Sequence, residues 1–295
     1  MKKGIYLILL TTLISGFSVF SNKIFVSQTD PLVFALVRNV IMAVIFSLLM
    51  LFSKKKHALA HLKKTEWLKL LLIGVCGGGL AFGLFFVGLS AIPAVQGSLI
   101  HKSLFLWVTF LAIPLLGERL TKIQLIGYAV VTYATFFMGG MQLLQLNLGS
   151  LMVLGATILW AIENVIAKKA LQNIDPLIIS WARMVIGLPV LLVAVVIVGK
   201  THILFNASSF NLLSLTTSSL FLTGYMLSWY AGLRYVPVTL ATSLLVFAPI
   251  ITLFLSTIFF TPTLLATQIP NVLLITIGLT FILGTIKKSS LAART

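Results

Sequence analysis

Acidic residues are scarce in this 295-residue chain, which has 5 aspartates and glutamates against 21 lysines and arginines. Charged residues of both signs make up only 9% of the sequence, whereas a soluble domain has roughly a quarter. The single cysteine, Cys76, excludes a disulfide framework and a cysteine-rich metal site. The sequence also lacks a nucleotide-binding loop of the Walker type, which argues against direct use of ATP. We therefore expect neither a soluble fold nor a cofactor.

Apolar segments fill most of the chain, and 59% of its residues are hydrophobic. A helix that crosses a bilayer needs about 20 mostly apolar residues. The segments that meet this description are 4–22, 31–52, 67–90, 93–116, 121–141, 149–167, 176–198, 211–233, 236–260 and 268–286. We predict an all-α integral membrane protein with ten transmembrane helices. The first segment resembles a signal peptide, but the internal repeat described below favours a retained helix.

The lysines and arginines between the predicted helices are distributed unevenly between the two sides of the membrane. If the amino terminus faces the cytoplasm, the outer side has only Lys23 and Lys200. The cytoplasmic ends and loops then contain Lys2, Lys3, Lys54, Lys55, Lys56, Lys63, Lys64, Lys69, Arg119, Lys122, Lys168, Lys169, Arg234, Lys287, Lys288 and Arg294. This positive-inside pattern predicts a cell (plasma or inner) membrane protein with both termini in the cytoplasm. It also explains the net charge of +16 without a nucleic-acid partner.

Two similar segments indicate an internal repeat. "TDPLVFALVRN" occupies residues 29–39 and "IDPLIISWARM" occupies 174–184, so each has Asp-Pro-Leu followed by an arginine at the same spacing. "GLSAIP" at 88–93 similarly corresponds to "GLRYVP" at 232–237. Aspartate is a good helix N-cap and proline suits the first helical turn. We therefore expect each Asp-Pro pair to start a helix.

The repeat divides the predicted helices into two units, residues 1–147 and 148–295, with five helices each. Because five is odd, the second unit enters the membrane from the opposite side. Inverted five-helix repeats of this kind are typical of carriers that alternate access around a site near the bilayer midplane.

The ten segments, the Asp-Pro openings and "LLGERLTKIQLIGYAVV" at 115–131 together resemble the drug/metabolite transporter superfamily, EamA type. The resemblance covers essentially the whole chain and implies export or exchange of small metabolites, amino acids or drugs. The second half departs from the pattern, since Pro262 stands where Glu118 stands in the first. We expect Glu118 to form a hinge or a helix-start contact with segment 121–141.

Five ionisable residues lie inside the predicted helices: Arg38, His101, Lys102, Glu163 and Arg183. Such groups are costly in a bilayer and usually face a cavity or a partner. With histidine neutral, three of them are positive and one is negative. We therefore expect a small-molecule substrate that supplies an anionic group, a carboxylate or a phosphate, and this includes zwitterionic amino acids.

Lys102 lies nine residues past Pro93, about 14 Å into a hydrocarbon core roughly 30 Å thick. We predict that it contacts the substrate, and a permanent ion pair with Glu163 is the alternative. Glu163 is a candidate for substrate binding and for proton coupling. Arg38 and Arg183, about 12 Å along their helices, fit substrate binding and a structural role equally well.

Polar and aromatic side chains recur on one face of three predicted helices. Those that we assign to the substrate site are Trp160, Glu163 and Asn164 in segment 149–167, Ser15 and Ser18 in segment 4–22, and Tyr225 and Trp229 in segment 211–233. Small hydroxyl residues also mediate helix packing, and aromatic residues also anchor helices at the interface. We expect His101 to be a packing or hydrogen-bonding group.

The favoured interpretation is a secondary carrier, an exporter or exchanger, of a small organic metabolite such as an amino acid or organic anion. A translocator of lipids or lipid-linked groups is the main alternative. A channel or a membrane enzyme fits less well, since the predicted helices contain one acid and no metal-binding cluster. A monomer is compatible with the sequence.

The topology can be tested by cysteine labelling. In a Cys76→Ala background, we expect a cysteine at Ser208 to react with a membrane-impermeant maleimide in right-side-out vesicles. Labelling that succeeds only in inside-out vesicles would reverse the predicted orientation.

Overall fold

The computed structural model describes four ranges of the chain, residues 1–144, 147–205, 210–260 and 264–292. Within them the secondary structure is entirely helical, with turns between helices and no β-strand. The predicted all-α class is therefore confirmed. Ser208 and Pro262 lie outside the described ranges.

The described part of the first half is a series of helices with short links. Its α-helices are α1 (Lys2–Phe25), α2 (Pro31–Phe52), α3 (Lys64–Leu72), α4 (Ala81–Ser90), α5 (Ala94–Lys102), α6 (Leu104–Leu116) and α7 (Lys122–Leu144). A 3-10 helix, Lys54–His61, follows α2, and a π-helical segment, Ile73–Leu80, joins α3 to α4.

The second half has a similar order of elements. Its described α-helices are α8 (Leu148–Ala170), α9 (Pro176–Ile197), α10 (Thr201–Leu204), α11 (Leu212–Leu233), α12 (Val238–Leu244), α13 (Ala248–Phe259) and α14 (Leu264–Ala292). A 3-10 turn, Leu245–Phe247, joins α12 to α13.

Eight helical stretches in the described part of the chain are long and apolar enough to cross a membrane. They match eight of the ten predicted segments. Segments 121–141 and 211–233 coincide with α7 and α11, which are not among the eight. The protein is thus a multi-pass membrane protein with eight candidate spans in the residues that the structure describes, and the predicted ten are not confirmed.

Two of the segments predicted as continuous helices are interrupted. The segment 93–116 divides at Ser103 into α5 and α6. The segment 236–260 divides at the 3-10 turn before α13, where Pro249 occupies the first helical turn and has no N–H for the preceding helix. Both interruptions lie near the middle of the bilayer-spanning length.

The Asp-Pro pairs start α2 and α9, as predicted. Asp30 Oδ1 accepts hydrogen bonds from the backbone N–H groups of Leu32 (3.0 Å) and Val33 (3.1 Å). Asp175 Oδ1 accepts one from the N–H of Leu177 (2.9 Å). The aspartates satisfy amide groups that have no partner within the helix.

Glu118 makes a helix-start contact, but with a different helix from the one predicted. Its carboxylate accepts hydrogen bonds from the N–H of Val238 (2.8 Å) and from the N–H and hydroxyl of Thr239 (3.1 and 2.6 Å). It therefore caps α12 in the second half. The expected contact with segment 121–141 was wrong, because the helix start beside Glu118 is that of α12 and not that of the next helix in the sequence.

Helix α9 crosses the π-helical segment so closely that the backbones of the two segments are in contact. A Cβ added to Gly78 would lie 1.8 Å from the Arg183 carbonyl oxygen, and one added to Gly187 would lie 2.3 Å from the Gly78 carbonyl carbon. Only glycine allows two helices to approach this closely. The crossing brings Arg183 to the centre of the molecule.

Gly78→Ala should therefore destabilise the protein by about 1–3 kcal/mol, the usual cost of adding atoms to a packed core. Gly155→Ala is the matched control, because its Cβ would meet only Leu84 Cδ1 at an ordinary 3.6 Å. Thermal unfolding of the two purified variants in detergent measures the difference. Equal unfolding temperatures would contradict the close crossing.

Candidate functional site

A cavity of about 60 Å³ lies between helices of both halves. Its lining residues are Ser15, Ser18, Val19, Asn22, Arg38, Phe82, Phe85, Phe86, His101, Leu104, Trp160, Asn164, Arg183, Leu222 and Tyr225. All of them except Ser18 and Tyr225 are buried. The cavity wall is thus built mostly from buried residues, and it combines aromatic rings with a few polar groups.

Most of the predicted substrate-binding residues meet at this cavity. Those in its wall are Ser15, Ser18, Arg38, Trp160, Asn164, Arg183 and Tyr225. Three others, Lys102, Glu163 and Trp229, lie behind the wall and contact residues in it. The three polar faces predicted from helical spacing do converge on one place.

Lys102 is completely buried, and its ammonium group donates a hydrogen bond to Ser15 Oγ (2.7 Å). Ser15 is part of the cavity wall, so the lysine is separated from the cavity by one side chain. Within the described ranges no carboxylate lies within ion-pairing distance of Lys102. The alternative of a permanent pair with Glu163 is therefore wrong for this conformation.

Glu163 pairs with Arg183 instead. Its Oε2 lies 3.5 Å from Arg183 Nη1, and its Oε1 accepts a hydrogen bond from the Tyr230 hydroxyl (2.5 Å). Arg183 also donates to that hydroxyl (2.9 Å) and to the Gly77 carbonyl (3.2 Å). This network joins α8, α9, α11 and the π-helical segment, and it neutralises the charge of Arg183.

Arg38 has a different environment from Arg183. Its guanidinium carbon lies 4.5 Å from the ring centre of Phe82 and 4.4 Å from that of Phe86. Its Nη2 donates to Asn39 Oδ1 (3.0 Å), and its Nε makes no hydrogen bond to the protein. In the described part of the chain Arg38 has no carboxylate partner, although its side chain is only 2% exposed.

The aromatic wall was only partly foreseen from the sequence. His101 lies 4.6 Å from Trp160 and 5.2 Å from Phe85, measured between ring centres. Phe82, Phe85 and Phe86 have the i, i+3, i+4 spacing of one helical face. This spacing is the sequence feature that could have identified them as part of one wall. Phenylalanine is so common in membrane helices that the spacing alone does not separate a cavity wall from a lipid-facing surface.

Other polar groups near the wall are bonded to one another. The Trp229 indole N–H donates to Asn164 Oδ1 (2.8 Å), and the Asn164 amide donates to the Trp160 carbonyl (2.7 Å). In α1 the Asn22 amide donates to Ser18 Oγ (3.1 Å) and its oxygen accepts from the Ser218 hydroxyl (2.6 Å). These bonds fix the wall, whereas Arg38 Nε, Arg183 Nε and His101 Nδ1 have no hydrogen-bond partner in the described part of the chain.

Two ion pairs lie at the opposite ends of the antiparallel helices α2 and α9. Lys200, just past the end of α9, pairs with Asp30 (2.5 Å) at the start of α2. Lys55, just past the end of α2, pairs with Asp175 (2.6 Å) at the start of α9. The 22 residues of α2 separate the two pairs by about 33 Å, so each pair joins the two halves at one end.

These features define a multi-pass helical membrane protein with a central cavity between its two halves. The EamA-like transporter family matches residues 2–140 and 147–284. The chain therefore belongs to the EamA-like transporter family, and the predicted resemblance is confirmed. Family and relatives point to a transporter and not to an enzyme.

The chain is similar to two uncharacterized transporters of Bacillus subtilis (strain 168). It is 26% identical to YoaV, with 84% of this chain and 85% of YoaV covered. It is 25% identical to YyaM, with 96% and 95% covered. A solved crystal structure of a protein with 16% identity superposes with a TM-score of 0.66 and covers 93% of this chain and 95% of that chain, which supports the fold alone.

Proposed function

We propose that the protein is a secondary carrier, an exporter or exchanger, of a small organic metabolite with an anionic group. An amino acid or an organic anion has the required chemistry. The carrier works by alternating access around the cavity lined by Arg38 and Trp160, which is the observation that carries the proposal. Ten spans form two inverted five-helix units, 1–147 and 148–295, in the cell membrane with both termini in the cytoplasm.

The inverted repeat is supported by contacts that recur with the repeat spacing. Lys23 Nζ donates to the carbonyls of Leu89 (3.1 Å) and Ser90 (2.9 Å), which end α4. Lys168 Nζ donates to the carbonyls of Leu233 and Val236 (both 2.7 Å), around the end of α11. Both lysines occupy equivalent places in the two halves. The family also matches each half separately.

The anionic substrate is supported by the balance of charge inside the helices. Arg38, Lys102 and Arg183 are three buried cations, and Glu163 is the one buried carboxylate of the described ranges. A buried charge without a counterion is costly in a bilayer. An anionic substrate supplies part of the missing negative charge while it is bound.

Counterflow in proteoliposomes tests the proposed function. Purified protein is reconstituted with a panel of unlabelled carboxylates, amino acids and organophosphates inside, and uptake of the labelled compounds is measured. We expect saturable exchange of at least one anionic or zwitterionic compound. Movement of a fluorescent phospholipid without any metabolite flux would favour the lipid translocator, and preferred transport of permanent organic cations would refute the charge argument.

The two ion pairs are suited to hold the two ends of the molecule closed in turn. Lys200→Gln should open the outer end and Lys55→Gln the cytoplasmic end, while Asp30 and Asp175 continue to cap their helices. Because exposed ion pairs contribute about 0.2–1 kcal/mol, each change should shift accessibility up to about fivefold.

The readout is labelling of Ser18→Cys from each side of the membrane, in a Cys76→Ala background. We expect Lys200→Gln to raise labelling from outside and Lys55→Gln to raise it from the cytoplasm. If the two variants are labelled equally from each side, the ion pairs do not act as gates.

Glu163 is the proposed coupling residue. Protonation of its carboxylate would weaken the pair with Arg183 and loosen α8 from α9. Glu163→Gln should therefore impair uphill, proton-driven transport more than exchange at equal proton concentration. If both activities fall by the same factor, Glu163 has only a packing or binding role.

A further inference from the structure

The two arginines of the repeat differ in how their charge is balanced. Arg183 has the carboxylate of Glu163 at 3.5 Å. Arg38, at the equivalent place in the first half, contacts two phenyl rings and donates one hydrogen bond to Asn39. Phenyl rings attract a guanidinium but do not neutralise it. Both arginines line the cavity and have an Nε without a hydrogen bond, so within the described residues it is the carboxylate partner that Arg183 has and Arg38 lacks.

The third buried cation is not at the wall. Lys102 donates to Ser15 Oγ from behind, and it is absent from the residues that line the cavity. Among the described residues, Arg38 is therefore the one lysine or arginine that both lines the cavity and lacks a carboxylate partner. This assigns the anionic contact to a different residue from Lys102, which the sequence favoured.

We propose that Arg38 binds the single carboxylate of the substrate and that the aromatic wall contacts an apolar or aromatic body attached to it. The proposal rests on the proposed carrier function and names its substrate class. A guanidinium presents parallel N–H groups that match the two oxygens of a carboxylate. Phe85, His101, Trp160 and Tyr225 supply the flat apolar surface on the same cavity.

The charge at the wall favours a monoanion over a phosphate. One unneutralised guanidinium balances one negative charge, whereas a phosphate monoester has between one and two at neutral pH. Arg183 is already neutralised by Glu163 and provides no second positive site. The second charge of a dianion would have no guanidinium to pair with in the wall, because the other unpaired cation, Lys102, lies behind Ser15.

Lys102 is a positioning residue in this scheme. Its ammonium donates to Ser15 Oγ, so the Ser15 hydroxyl is left to donate its own proton toward the cavity. A hydroxyl that accepts from a cation becomes a stronger donor. Lys102 thereby supports the binding of an anion without touching it.

Binding of simple probes to the purified protein tests the proposal independently of transport. Benzoate has a carboxylate on an aromatic ring, benzamide has nearly the same shape without the charge, and phenyl phosphate has the larger charge. We expect benzoate to raise the unfolding temperature in a saturable way and to bind at least tenfold more tightly than the other two. Equal stabilisation by benzoate and benzamide, or tighter binding of phenyl phosphate, would overturn the assignment.

Variants then locate the carboxylate. Arg38→Met should weaken benzoate binding at least about tenfold, since the carboxylate loses its charge-assisted hydrogen bonds. Arg38→Lys retains the charge and the fold but loses the paired N–H groups, and it should weaken binding by a similar factor. The exposed Arg234→Met is the matched control and should bind benzoate like the wild type.

Lys102→Met distinguishes the two buried cations. We expect it to weaken benzoate binding by less than tenfold, because it acts only through Ser15. Loss of binding in Lys102→Met with normal binding in Arg38→Met would refute the proposal. Benzoate binding that depends on Arg38, in a protein that transports no metabolite by counterflow, would sustain this site and reject the carrier function. Counterflow that survives in Arg38→Met would reject this site and sustain the carrier function.

Discussion

The ion pair between Arg183 and Glu163 is the contact on which the arrangement of the central helices depends. It joins α9 to α8, and through Tyr230 and the Gly77 carbonyl it includes α11 and the π-helical segment. Removing one partner of such a buried pair typically costs 3–5 kcal/mol, because the other charge is left uncompensated. The cavity therefore lies against a buried polar network that joins three α-helices and the π-helical segment.

This pair requires the glycine run beside it. A Cβ on Gly77 would lie 2.5 Å from Glu163 Cγ, and one on Gly78 would lie 1.8 Å from the Arg183 carbonyl oxygen. The π-helical turn exposes the carbonyls of both glycines, which accept from Trp160, Arg183 and Asn39. Glycine here provides space for a charged network and acceptors for its donors, so the run is more than a means of close helix packing.

Much of the fold could be predicted from the sequence because the bilayer restricts the possibilities. The all-α class, the positions of the apolar helices and the Asp-Pro caps follow from hydropathy and local chemistry, which depend on residues close in sequence. The partners of Glu118 and Glu163 could not be predicted in this way. Glu118 caps α12, 120 residues away, and Glu163 pairs across to α9. Such partners depend on which helices pack against each other in the folded protein, and local sequence patterns do not show this.

The candidate site was predictable in part for the same reason. Ser15, Trp160, Asn164 and Tyr225 were identified by helical spacing, which indicates a shared face and does reach the cavity. The aromatic residues of α4 were missed because phenylalanine fits a lipid-facing surface equally well. Depth along the helix singled out Lys102, but depth does not indicate the direction in which a side chain points.

The ion pairs that α9 makes along its length fit a molecule that rocks about its centre. The central pair, Arg183 with Glu163 on α8, is buried, whereas the end pairs with α2 are partly exposed, with the Lys55 side chain 47% and the Lys200 side chain 34% exposed. Exposed pairs contribute about 0–1 kcal/mol, so either end can open at little cost while the centre stays together. With both end pairs formed, the cavity of about 60 Å³ is far smaller than the roughly 300–1,000 Å³ of ligand pockets. Substrate entry therefore requires one end to separate, and the weak pairs are where separation costs least.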